Sequence, residues 1–242
     1  MYVLIKQKRA WKFYANKKKM RYHSTALFET PLISGVVDGY SVSMFASEHS
    51  ELDARSKRRL TAIEVNLQTS LPFSVAVASG GMVHVASLMD FRQEYKPNIK
   101  GWDDTNALQT NDLKLSQAYF TEDRLRKMVN LMKIDKAWII LLFTEDQGIL
   151  RLDTPLPIDS PKEIDVLIKQ LINVAKALEL KKGEDKDLIR QSQRKEQAES
   201  VIEIDDDLLG DDVGLELEDE EAEIKDTESD SKSDKQETSN KS

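Results

Sequence analysis

The chain has no cysteine, which excludes disulfides and thiolate-held metals. It has no long hydrophobic run. The longest, Ala137–Phe143, falls far short of the ~20 apolar residues that a helix needs to cross a bilayer. Histidine is scarce: His23, His49 and His84 are the three present, and they stand in neither the His-Glu-x-x-His nor the His-x-His spacing of common zinc sites. Acids are missing from residues 1–22, which carry eight basic side chains. That basic start also lacks the apolar segment of a secretory leader, because Tyr2–Ile5 runs at once into Lys6, Lys8 and Arg9. Aromatic residues are missing from 201–242. The expected location is cytoplasmic, at most peripheral to a membrane.

What is present is a charge layout. The 242 residues carry a net charge of −8. Residues 196–242 hold nineteen acids against four lysines, whereas 23–195 hold 23 basic and 24 acidic side chains. A nearly neutral body thus lies between a basic arm and an acidic tail. Such a layout indicates contact with other macromolecules and says little about chemistry. Apolar residues concentrate between Leu32 and Leu180. A stretch of about 150 residues can bury roughly two-thirds of its unfolded surface, enough for a core. Four segments follow: a basic amphipathic helical arm (1–22), an α+β domain (23–183), a polar helical extension (184–200) and an acidic tail (201–242). The tail is expected to be disordered, because it cannot bury enough apolar surface to offset the entropy of ordering.

Periodicity assigns the elements. Across residues 2–20, Val3, Leu4, Ala10, Trp11, Tyr14 and Ala15 fall within one helical arc of roughly 140°. Leu32–Val37 and Tyr40–Ala46 read as strands joined by Asp38-Gly39, a two-residue turn signal. Residues 47–57 read as a charged loop, and Leu60–Gln68 as a third strand with Ile63, Val65 and Leu67 on one face. Phe73–Ala78 and Met82–Ser87 form a second expected hairpin across Ser79-Gly80-Gly81. Residues 90–105 read as a loop, followed by a short strand at Ala107–Thr110. A helix opens at Thr121 with Leu125, Met128, Val129 and Met132 on its buried stripe. Strands at Ala137–Phe143 and Ile149–Asp153 follow. Ser160, Pro161 and Glu163 form a capping-box signature for a helix running to about Lys182, its stripe made by Ile164, Leu167, Ile168, Leu171, Ile172, Ala175 and Leu178. Gly183 stops it. The predicted fold class is α+β, mostly antiparallel sheet with two or three packed helices.

Candidate chemistry is sparse. His84 reads as an ordinary strand residue. His49 lies near Glu48, Glu51 and Asp53, without the ligand order of a hard-cation loop. Ser79-Gly80-Gly81 lacks the Lys-Ser/Thr of a phosphate loop. The neighbouring acids Asp103-Asp104 and Glu145-Asp146 have no fixed separation across a cleft. No cofactor and no metal is indicated. Two candidate binding segments remain. In the arm, Lys6, Lys8, Arg9, Lys12, Lys17, Lys18, Lys19 and Arg21 with Trp11 would meet an anion, either nucleic acid or a membrane surface. The alternative is a helix docked on the body with a solvated basic face. In the tail, Val201, Ile202 and Ile204 followed by Asp205, Asp206 and Asp207 form a β-prone run with an acidic stop, suited to adding as an edge strand to a partner. It resembles the linear motif that binds ubiquitin-like modifiers. Plain solubilisation is the alternative.

The layout Glu29–Phe45 (ETPLISGVVDGYSVSMF), Asn106–Lys133 and Ala137–Asp153, with Gly35, Gly39 and Tyr40 and with Thr110-Asn111-Asp112, is similar to a family of bacterial domains of unknown function. The resemblance covers residues of about 10–180. It implies an α+β fold and, since relatives often carry a membrane segment upstream, a membrane-associated or secretion setting. It supplies no activity. The expected function is a non-enzymatic adaptor or scaffold subunit with protein partners recruited by the tail. The alternative is a nucleic-acid or anionic-membrane binder acting through the arm.

Overall fold

Trp11, Tyr14 and Ala15 recur at helical spacing and lead the chain into its core. They belong to α1 (Tyr2–Lys18), which is followed by β1 (Arg21–His23), β2 (Leu32–Val37), β3 (Tyr40–Ser50), β4 (Lys57–Asn66), β5 (Val75–Ala78), α2 (Met82–Ser87), β6 (Gln93–Glu94), β7 (Ala107–Thr110), α3 (Leu113–Tyr119), α4 (Glu122–Met132), β8 (Trp138–Phe143), β9 (Gly148–Thr154) and α5 (Pro161–Leu178). This computed structural model describes residues 2–24, 30–50, 57–144 and 146–190, all within one unit, Met1–Glu199. The acidic tail and its Val201–Asp207 motif lie outside the described residues.

The nine strands form one antiparallel sheet in the order β1-β2-β3-β4-β9-β8-β5-β7-β6. The fold is α+β. Asp38 and Gly39 take φ of 50° and 88°, so the expected two-residue turn forms and sets the register at Val37↔Tyr40. Alternation then sends Val42, Met44, Ile63, Val65, Leu150, Leu152, Ile139 and Leu141 to one face, buried against α1, α3, α4 and α5. The opposite face carries Ala76, Ala78 and Ile140, which the short α2 covers through Met82 and Ala86, with Phe91 packed beside them.

Several expectations are corrected. Met82–Ser87 is a helix, not a strand. Met82 and Ala86, one turn apart, are buried while His84 is exposed, and the alternating Val83 and Val85 mimic a strand pattern. The turn is forced early because a Cβ on Gly80 or Gly81 would collide with the Trp138 ring. Residues 47–57 are not simply a loop: β3 and β4 keep pairing through Glu48↔Arg59, His49↔Arg58 and Ser50↔Lys57, with opposite charges facing across the strands. Within 90–105, Gln93–Glu94 adds an edge strand to β7. Among the described residues six helical segments occur, the arm and the 184–190 stretch included. The unanticipated α3 is capped by Asp112, whose carboxylate accepts from the Leu115 N–H at 3.0 Å.

At α5 the capping box does not form, since the Ser160 side chain caps no N–H. The approach to the helix is held instead from α1: the Trp11 indole donates to the Ile158 carbonyl at 2.9 Å and Lys6 pairs with Asp159 at 3.0 Å. The helix ends at Leu178, short of the expected Lys182. Tyr119 donates to the Leu178 carbonyl, and Arg124 donates to the carbonyls of Ala177 and Glu179 at 3.2 and 2.9 Å. These side chains take acceptors that one more turn would have used. Gly183, at φ 91°, then reverses the chain into a further helical stretch, 184–190, anchored by the buried Leu188.

Candidate functional site

Polar side chains collect on the outward side of α1 with its groove against α5, and on the outer face of the sheet around Asp153.

The inward side of α1 is Gln7, Ala10, Trp11, Tyr14 and Ala15. Trp11 is fully buried, so it does not meet an anion from outside, contrary to expectation. Its flat apolar ring fills the core while its one donor is satisfied by Ile158. Val3, expected inward, is half-exposed, and Gln7 takes an inward place by donating to the Thr61 hydroxyl at 3.2 Å. Three of the arm's cations are tethered to the protein. Lys6 binds Asp159, whose hydrogen bond and charge raise its pKa; Lys18 binds Asp165 at 3.1 Å; Lys8 donates to the Ser24 hydroxyl at 3.2 Å. Arg9, Lys12, Lys17, Lys19 and Arg21 are exposed. With them on the outside stand Tyr2 at 79% exposure, Ile5, and Phe13 at 60%. At 100° per residue Tyr2, Ile5, Arg9, Lys12, Phe13 and Lys17 share an arc of about 140°. Ile5 and Phe13 lie on the charged side, outside the apolar arc. The outer face is therefore mixed: aromatic and aliphatic groups set among cations, with no acid on the helix.

Beside this face a groove of about 680 Å³ separates α1 from the start of α5. Phe13, Tyr14 and Lys17 form one wall; Ser160, Pro161, Lys162, Asp165 and Val166 form the other. Asp165 is held by Lys169 at 2.7 Å and by Lys18, and these bonds keep its pKa below the ordinary value. Burial raises the Tyr14 phenol, and its hydroxyl has no hydrogen-bond partner. The sequence carried no sign of this groove. Its walls come from residues almost 150 positions apart.

On the outer face of the sheet, Asp153 of β9 is fully buried. Its Oδ2 accepts from the Ser47 hydroxyl at 2.5 Å, from the His49 ring at 3.1 Å and from Arg151 Nη2 at 2.9 Å, while Oδ1 accepts from Arg151 Nε at 2.7 Å. Burial lowers the Arg151 pKa, but the hydrogen bond and charge of Asp153, with the charge of Glu64, outweigh it and leave the net shift upward. The guanidinium lies over the Phe45 ring at 5.2 Å, and His49 meets Trp138 edge-on at 5.3 Å. Alternation along β3 sets Ser47 and His49 on one side, and the β4–β9 register brings Asp153 beneath them. Serine, histidine and aspartate invite comparison with a hydrolase triad, yet the wiring differs. Ser47 donates to the carboxylate and not to His49, so the serine–histidine link of such a triad is not made. The cluster is a charge-paired clasp. His49 is partnered by a strand 104 positions away, and no group of three or more metal-ligating side chains occurs among the described residues.

The class these features define is an antiparallel α+β domain with a mixed basic and aromatic helix on its surface. No protein-family model matches the chain, and no curated protein does. Among solved structures, the mycobacterial trehalose monomycolate transport factor A, TtfA, aligns over 71% of this chain and 94% of its own length at 13% identity, with a TM-score of 0.42. A likeness at that level transfers no function to this chain.

Proposed function

We propose that the chain is a non-enzymatic adaptor that seats on an anionic lipid surface through the outer face of α1 and recruits protein partners through its acidic tail. The observation that carries this reading is the exposure of Tyr2, Ile5 and Phe13 on the same face as Arg9, Lys12 and Lys17. No helix among the described residues is long and apolar enough to cross a membrane, so the association is peripheral. Each cation near an acidic leaflet is worth about 1 kcal/mol, and a large apolar side chain taken out of water about 1.5–3 kcal/mol. A face with three free cations and two or three such side chains thus supplies about 6–12 kcal/mol gross, which the cost of association reduces to the range of weak, reversible binding. Nucleic acid is the second partner that the cations would suit. Ile5 favours lipid, because an aliphatic side chain has no base to stack on but inserts readily between acyl chains.

The test is sedimentation of the full chain with vesicles of phosphatidylcholine alone or mixed with phosphatidylglycerol. Binding is expected only to the acidic vesicles, to weaken with salt, and to be lost in an Ile5→Ser, Phe13→Ser double variant. Equal sedimentation of that variant, or tighter binding to single-stranded nucleic acid than to acidic vesicles, overturns the lipid assignment.

A further inference from the structure

We infer that the groove between α1 and α5 is a headgroup site for an anionic phospholipid, holding the phosphate between Lys17 and Lys162 and the glycerol portion against Phe13 and Val166. The inference rests on, and deepens, the lipid-surface reading of α1.

Four observations converge. The volume of about 680 Å³ lies within the range of small-molecule sites, roughly 300–1,000 Å³. The charge is complementary to an anion. Lys17 and Lys162 come from different helices, both are exposed, and neither is in an ion pair among the described residues. The one acid in the walls, Asp165, is already engaged by Lys18 and Lys169. The third observation is the open end of α5. This 18-residue helix begins at Pro161 without a side-chain cap, so the N–H groups of Lys162 and Glu163 and the positive end of its dipole are left for an acceptor, Pro161 having none and Ile164 already donating to the Ser160 carbonyl. Fourth, the remaining surface is apolar and exposed, with Phe13 on one wall and Val166, 52% exposed, on the other. A free phosphate ion would leave those walls in water. A phosphate carried on glycerol and acyl chains covers them. The groove also adjoins the face of α1 that meets the bilayer, so a headgroup would be captured from the leaflet without leaving it.

The experiment uses the full chain, isotope-labelled for amide NMR, titrated with dihexanoyl phosphatidic acid below its micelle concentration, with dihexanoyl phosphatidylcholine and with inorganic phosphate. Saturable shifts are expected for the phosphatidic acid at the amides of Lys162, Glu163 and Lys17. Losing one charge-assisted contact costs about tenfold in affinity, so Lys162→Gln, an exposed change that leaves the fold intact, is expected to weaken binding by about that factor. Shifts scattered over the surface, an unchanged affinity in Lys162→Gln, or inorganic phosphate binding as tightly as the lipid each overturn the site. If acidic vesicles sediment the protein but the short lipid does not bind, the groove assignment fails and the lipid-surface reading stands. If the short lipid binds and vesicles do not sediment the protein, the surface reading fails and the groove stands.

Discussion

Arg124 concentrates more structure than any other side chain of the protein. Its guanidinium is 3% exposed and lies over the Tyr119 ring at 4.2 Å. It donates to the carbonyl of Tyr119 at 2.8 Å, to those of Ala177 and Glu179, and to both carboxylate oxygens of Glu184 at 2.5 and 2.7 Å. One side chain thus closes α5, fixes the end of α3 and tethers the segment after Gly183. A planar fork can do this and a lysine cannot. Removing one partner of a fully buried pair costs about 3–5 kcal/mol, chiefly because the other charge is left unpaired; Glu184 is 22% exposed, so the cost here is smaller. The pair also fixes a pH dependence. The Arg124 hydrogen bond holds the Glu184 pKa below its ordinary value of 4.5. A depressed carboxylate adds stability that is present above the unfolded pKa and lost as pH falls through the folded one. Thermal unfolding followed from pH 7 downward is therefore expected to lose midpoint below about pH 4.5, and Glu184→Gln is expected to lower the midpoint at pH 7 while flattening that acid limb. An acid limb as steep in the variant as in the parent would mean that Glu184 does not report there.

At the scale of elements, periodicity was sufficient for α4, α5, β8 and β9. In α5 the stripe Ile164, Ile168, Leu171, Ile172, Ala175 and Leu178 is buried as expected, and so are Leu125, Met128 and Val129 of α4. The strands β8 and β9 and the Asp38-Gly39 hairpin fall where alternation and turn chemistry put them. Leu171→Ala is expected to cost about 2–5 kcal/mol, measured by denaturant unfolding; a cost under about 1 kcal/mol would contradict the packing of α5 on the sheet. What escaped the sequence is what depends on distant partners. In α2 the local pattern fits both periods, and the decision is made by Trp138 lying against Gly80 and Gly81. The end of α5 is set by Tyr119 and Arg124, more than fifty positions upstream. The capping box at Ser160 is a local signal that the structure leaves unused, while Trp11 and Lys6 hold the approach to the helix through Ile158 and Asp159. The Asp153 clasp joins β3 to β9, so His49 beside Glu48 gave no hint of its true neighbour. For the candidate site the cations of the arm were legible and their sorting was not. Which of them are tethered, and that Trp11 points inward, follows from where Ile158, Asp159 and Asp165 stand.

At the scale of the whole molecule, charge is partitioned along the chain in a way that bears on the lipid-surface proposal. The net −8 opposes approach to any anionic surface, while the outer face of α1 favours it. Residues 201–242 carry seventeen acids and four lysines, so a chain ending at Ser200 has 31 basic and 26 acidic side chains, a net of +5. At low ionic strength, near 0.01 M, fields reach about 30 Å, and the full complement of charge is felt by an approaching leaflet; at physiological salt they reach about 8 Å, and only the groups at the contact count. The tail is thus expected to act as an electrostatic brake on α1 that salt releases. A chain ending at Ser200 is expected to bind acidic vesicles more tightly than the full chain at low salt, with the difference shrinking as salt rises and gone by ~0.5 M. Apolar insertion of Ile5 and Phe13 is not screened but does not hold the protein on its own, so binding of both chains is expected to fall to the same low level at high salt. Equal affinity of the two chains at low salt would show that the charge of 201–242 plays no part in surface association, and a difference that persists at high salt would point to a contact that is not electrostatic.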